Sequence, residues 1–124
     1  MTPKLIKIVD SVASELTTMQ LSNIDAAFKH LRSWKGKFDA SSTAATVYSY
    51  AMLKIYDSLL HQYLDSDKRS KMVDSYEFSD FFSRLVNDIK EHGGASRFNS
   101  FCVGHHDFYK GENACAYNFA LAFN

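Results

Sequence analysis

Residues 31–48 read Leu-Arg-Ser-Trp-Lys-Gly-Lys-Phe-Asp-Ala-Ser-Ser-Thr-Ala-Ala-Thr-Val-Tyr, and this stretch limits the fold more than any other. An apolar helical stripe closes here on Trp34 and Gly36, and glycine suits the left-handed conformation that ends many helices. The next stripe opens with Asp39, Ser41 or Ser42 as cap and with the small Ala44 and Ala45 in its first turns. Two helices must therefore meet across a short connection, with Trp34 wedged between them as a packing anchor.

The flanking sequence extends this pattern in both directions. Thr2-Pro3 reads as a helix start, Thr as cap and Pro at the first helical position, where its missing N–H costs nothing. Leu5, Ile8, Val9, Val12 and Leu16 recur at three- and four-residue steps, so the first helix is expected to reach Leu16 and to loosen over Thr17, Thr18 and Gln20. Ser22 and Asp25 have capping-box spacing ahead of Ile24, Ala27, Phe28 and Leu31. The third helix is the longest. Tyr48, Met52, Ile55, Leu59 and Tyr63 run down one face, broadened by Val47, Leu53, Tyr56 and Leu60. A helix apolar over so much of its circumference is expected to be central.

Asp65 to Lys71 is highly charged and reads as an exposed connection or short helix. Asp74 and Glu77 repeat the capping-box spacing before Phe78, Phe81, Phe82, Leu85, Val86 and Ile89, and His92-Gly93-Gly94 ends that helix. Beyond it the periodicity is lost. Phe101-Cys102-Val103 and Phe119-Ala120-Leu121 are short apolar runs suited to strands or extended segments. The expectation is a mainly α fold of four to five packed helices with an irregular or short-strand C-terminal tail. It forms a single helical domain or fragment over 1–124, with a helical core at 1–92 and the tail at 93–124. The apolar ending, Phe119 to Phe123, needs a cover, which suits a truncated domain or a homodimer contact.

Charge excludes some functions. Lys plus Arg and Asp plus Glu number 14 each, so no basic excess points to nucleic acid or to an anionic membrane. No apolar run approaches the ~20 residues that span a bilayer, and Met1-Thr2-Pro3-Lys4-Leu5 lacks the layout of a secretory signal. The chain is expected to be soluble, without nucleic-acid or membrane partners. Ten Phe and seven Tyr predict an aromatic-rich core. Cys102 and Cys115 are read as free buried thiols in preference to a short disulfide.

Leu31, Trp34, Gly36, Ser42, Ala44, Ala45 and Tyr48 together resemble the helical segment of the penicillin acylase family, N-terminal-nucleophile hydrolases that cleave amide bonds of acylated substrates. The resemblance covers about residues 21–64. Members carry a Leu-x-x-Trp-Asp-Gly run, then Asp-Ser-x-Ala-Ala-x-x-Tyr, then a long aromatic-rich helix. This chain departs at Lys35, where an acidic or amide residue is usual, and at Ser41, where Asp is common. The resemblance implies a helical fragment or subunit of such an amidase, inactive alone, with the remainder of the hydrolase as its partner and a secreted or periplasmic location. The family's nucleophile, a Ser, Cys or Thr freed at a chain terminus, has no counterpart here. Thr2 matches it by residue type, but it precedes Pro3 at a helix start, whereas the family's nucleophile begins a strand.

The other reactive residues carry weaker signals. His92, His105, His106 and Asp107 with Cys102 and Cys115 match no structural zinc spacing. Cys102 with His105 or His106 lacks a third group to orient the base. Tyr48, Tyr50, Tyr56 and Tyr63 at helical spacing read as core and not as the lining of an acyl pocket. Gly93-Gly94 alone makes no phosphate cradle. No residue is assigned to catalysis, a cofactor or a metal. The reading from another class is a non-catalytic helical module that binds a protein through an aromatic-rich face.

Overall fold

The computed structural model describes residues 1–60, 66–73, 75–102 and 113–124, with backbone alone at 66, 69, 70 and 73. Every regular element among them is helical: α1 (Thr2–Asp10), α2 (Thr18–Leu31), α3 (Thr43–Leu60), α4 (Ser66–Val73), α5 (Tyr76–His92) and α6 (Ala114–Ala122). Short 3₁₀ turns lie at Ala13–Glu15, Gly93–Ala95 and Arg97–Phe101. The fold is mainly α, as the apolar spacing implies. Tyr63, Asp65, Asp74, Val103, His105, His106 and Asp107 fall outside the described residues.

The first two helix boundaries differ from the expected ones. α1 begins without a side-chain cap, its N-cap being Met1, so Thr2 is a first-turn residue. It stops at Asp10, where the Ser11 hydroxyl donates to the Ile8 carbonyl and competes with helix continuation. Val12 and Leu16 remain buried across the 3₁₀ turn, so apolar periodicity outlasts the helix. α2 is capped by Thr17 and not by Ser22 with Asp25. The Thr17 hydroxyl accepts from the Gln20 amide at 3.1 Å, and the Thr17 amide donates to the Gln20 side chain at 2.9 Å. α5 is likewise capped by Ser75, whose hydroxyl accepts from the Phe78 amide at 3.1 Å, and it ends at Gly93 with φ +53°.

The larger correction concerns the tail. The described residues of 93–124 hold no strand but short 3₁₀ turns and the helix α6, which is the most enclosed of the described helices. Ala114, Cys115, Phe119 and Ala120 have no exposed surface. α6 packs on α1, α2, α3 and the 97–101 turn. Phe119 meets Phe82 at 6.2 Å between ring centres, and Phe123 meets Phe28 edge-on at 5.0 Å. The cover for the apolar ending is supplied by the chain's own helices. A helix surrounded on all sides is apolar on all sides and shows no stripe.

Polar groups fix this helix in place. Its N-cap, Asn113, makes no side-chain cap. Instead the buried Asn99 accepts from the Cys115 amide at 3.1 Å and donates to the Gly93 and Ser96 carbonyls at 2.9 and 3.1 Å. Asn118 donates to the Cys102 carbonyl at 2.7 Å. Cys102 and Cys115 form a disulfide, contrary to the expectation of free thiols. It ties the 97–101 turn to the first turn of α6.

α3 packs on α2, α4 and α6 but is less enclosed than its composition implies. Leu53, expected on the buried side, is 63% exposed, and Tyr50 is 64% exposed. α6 takes the centre, and one face of α3 is left to solvent.

Candidate functional site

The connection between α2 and α3 is built by local hydrogen bonds. The Trp34 amide donates to the Leu31 carbonyl at 3.2 Å, extending the end of α2 by a turn. Gly36 then adopts φ +85°, five residues beyond the end of the helix and not at its cap. This reversal lets the Trp34 indole Nε1 donate to the Lys37 carbonyl at 3.0 Å. Asp39 forms a side-chain turn, accepting from the Ser41 amide at 3.0 Å and the Ser41 hydroxyl at 2.8 Å. Ser42 is the cap of α3, its hydroxyl accepting from the Ala45 amide at 3.1 Å.

Three rings close over this connection. Trp34 lies 5.1 Å from Phe38 and 5.2 Å from Tyr48, and Phe38 lies 5.9 Å from Tyr48. Trp34 thus anchors the two helices as expected. Burial pushes the Tyr48 phenol above its ordinary pKa, because the phenolate would lose hydration. Phe38 is 65% exposed, so one ring of the trio faces solvent.

A groove lies on each side of the connection. On the α3 side, Phe38, Ala45, Tyr50 and Leu53 form an apolar wall, with the Thr46 and Ser49 hydroxyls beside it, around an open volume of about 570 Å³. The Lys54 ammonium stands 4.7 Å above the Tyr50 ring, a cation–π contact that fixes the tyrosine at the groove edge. On the α1 side, Pro3, Ile6, Leu31 and Trp34 border a second groove of about 440 Å³, within the usual range for small ligands. Lys7, Asp10 and Arg32 stand around it.

The other singled-out residues do not converge on either groove. Tyr56 lies in the core between Phe78 and Phe82, at 4.9 and 5.0 Å, while Tyr48 and Tyr50 sit at the connection and on the surface. The described tyrosines therefore share no pocket, and Tyr50 is not core. His92 ends α5, 3.8 Å from Asp88. The disulfide removes Cys102 as a free nucleophile and both cysteines as thiolate ligands. No group of three or more His, Cys, Asp or Glu suited to a metal occurs among the described residues. Thr2 borders the α1-side groove as a helical residue.

Sequence reasoning missed both grooves as sites. The signal for the first was Phe38 beside a turn and Tyr50 with Leu53 three residues apart, which place apolar side chains on one helix face. Comparison of the chain with family models, curated proteins and solved structures finds no match.

Proposed function

We propose that the chain is a non-catalytic helical interaction module whose working surface is the α3-side groove. The observation that carries this reading is the grouping of Phe38, Tyr50 and Leu53, each nearly two-thirds exposed, around one concavity. Large apolar side chains gathered in this way mark interaction sites more often than scattered ones. Lys37 precedes Phe38 and Lys54 stands over Tyr50. The favoured occupant is a segment of another protein with an aromatic or aliphatic anchor flanked by acidic residues, seated as helix in groove. The Cys102–Cys115 disulfide supports an oxidising compartment for the module.

The test uses a displayed library of helical peptides bearing one apolar anchor and acidic flanks. Enriched peptides should bind the wild-type chain and lose at least tenfold affinity for a Phe38→Ser, Leu53→Ser variant. Equal binding to both, or no enrichment, rejects the reading. Sedimentation of the chain alone covers the homodimer. Self-association abolished by the same variant would make a second copy the occupant and displace the other-protein partner.

A second reading keeps the chain as the helical part of a penicillin-acylase-like amide hydrolase. It is supported by the meeting of the resembling positions at one junction, with Ala44 and Ala45 buried and Trp34 packed on Tyr48. Those positions serve helix packing and supply no reacting group. Adjoining coding sequence that yields a terminal Ser, Cys or Thr followed by strands would favour this reading. An intact natural product without such a segment or partner chain would remove it.

A further inference from the structure

The α1-side groove differs in chemistry from the α3-side groove. Pro3, Ile6 and Lys7 come from successive turns of α1, and Leu31, Arg32 and Trp34 from the end of α2 and the connection. The α1 wall, residues 2–10, extends about 12 Å. Ile6, Leu31 and Trp34 give an apolar floor, and the side chains standing over it are two cations, Lys7 and Arg32, and one anion, Asp10. Arg32 reaches Asp10 at 3.6 Å, with both side chains about half exposed, which is the kind of ion pair that holds weakly. Lys7 makes no ion pair with a described residue. The groove therefore has an apolar trough and an excess of one positive charge at its lip.

We propose that this groove binds a medium-chain alkyl carboxylate, with the alkyl chain along Ile6, Leu31 and Trp34 and the carboxylate between Lys7 and Arg32. Charge complementarity decides the ligand class. A neutral alcohol would leave the Lys7 charge unanswered, and an alkylammonium would have only Asp10, already engaged by Arg32, against two cations. A carboxylate can accept two parallel bonds from the Arg32 guanidinium, displacing Asp10 from its single contact.

Trp34 is the only tryptophan of the chain and borders the groove, so its emission reports occupancy directly. Octanoate is expected to shift that emission saturably, whereas octanol and octylamine over the same range do not. Lys7→Gln with Arg32→Gln should weaken octanoate at least tenfold. Asp10→Asn, which removes the competing carboxylate, should tighten it severalfold. These side chains are exposed, so far-UV circular dichroism of the variants should match that of the wild-type chain. Because Trp34 also touches Phe38, a Phe38→Ala variant serves as the control and should keep octanoate affinity within twofold. The proposal is overturned by no saturable shift, by octanol binding as tightly as octanoate, by unchanged affinity in the Lys7/Arg32 variant, or by a tenfold loss in Phe38→Ala.

Discussion

Opening the Cys102–Cys115 disulfide tests how the C-terminal helix is held to the rest of the domain. The two cysteines are separated by 13 positions, with Cα atoms 5.0 Å apart. Closing a loop of this size removes chain entropy from the unfolded state, and the loop-length relation gives about 3 kcal/mol at 25 °C. Unfolding entropy near 2.1 cal/mol/K per residue converts this to a fall in Tm of about 11 °C for a chain of 124 residues. That is a large share of a total stability of roughly 5–15 kcal/mol.

The assay compares urea unfolding of oxidised protein with that of protein reduced while unfolded and then refolded in reductant. Reduction keeps both sulfur atoms, so it isolates the cross-link. The Cys102→Ala, Cys115→Ala variant also removes buried volume and should lose about 1 kcal/mol more. Neither cysteine is more than 2% exposed, so reductant added to the native protein should act only as fast as the structure opens. Coincident unfolding midpoints for the oxidised and reduced forms would refute the argument. So would two titratable thiols in air-oxidised protein unfolded without reductant.

Three further predictions concern the core and its buried polar groups. Asn99→Ala removes the acceptor for the Cys115 amide and the donor to two carbonyls, and should cost about 2–3 kcal/mol in urea unfolding; a loss below 0.5 kcal/mol would contradict the role given to Asn99. Phe119→Ala should cost about 3–5 kcal/mol, whereas Tyr50→Ala should change stability by less than about 0.5 kcal/mol, and the reverse order would refute the placement of α6. Burial holds the Tyr48 and Tyr56 phenols above their ordinary pKa, with Tyr48 adding to the shift at Tyr56. Their contribution is full below pH about 10, where unfolded tyrosine begins to ionise, and is lost as pH rises through the folded values. A Tyr48→Phe, Tyr56→Phe variant should show a shallower alkaline fall in urea midpoint, and an unchanged slope would exclude these groups.

How much could be read from the sequence depended on whether a helix has one buried face or is enclosed. The α5 stripe from Phe78 to Ile89 was legible because one side packs inward and the other is solvated, so burial repeats with the helical period. α6 was not legible because nearly every residue from Ala114 to Ala122 is enclosed, and uniform burial has no period. The N-terminal boundary was misplaced for a related reason. Val12 and Leu16 stay buried through a 3₁₀ turn, so the stripe continued where the hydrogen-bond ladder did not. Thr17 and Gln20 had the capping spacing in plain view, but their polarity suited the frayed end of a longer helix equally well. The disulfide depended on the same hidden element, since Cys102 and Cys115 come within bonding distance only once Arg97–Phe101 and α6 pack together.

The candidate site was half legible. The connection from Leu31 to Tyr48 was identified as a helix junction, and Trp34 does hold it together. Burial of α6 bears on why apolar side chains are left exposed beside that junction. Phe119 and Phe123, which looked like an unpaired apolar ending, are consumed inside the domain by Phe82 and Phe28. With α6 filling the centre, α3 cannot bury its whole apolar circumference, and Tyr50 and Leu53 turn outward beside Phe38. Among the described residues, Phe38, Tyr50 and Leu53 thus gather exposed apolar surface at the α2–α3 junction, while Met19 and Tyr76 lie exposed elsewhere and Phe119 and Phe123 are enclosed.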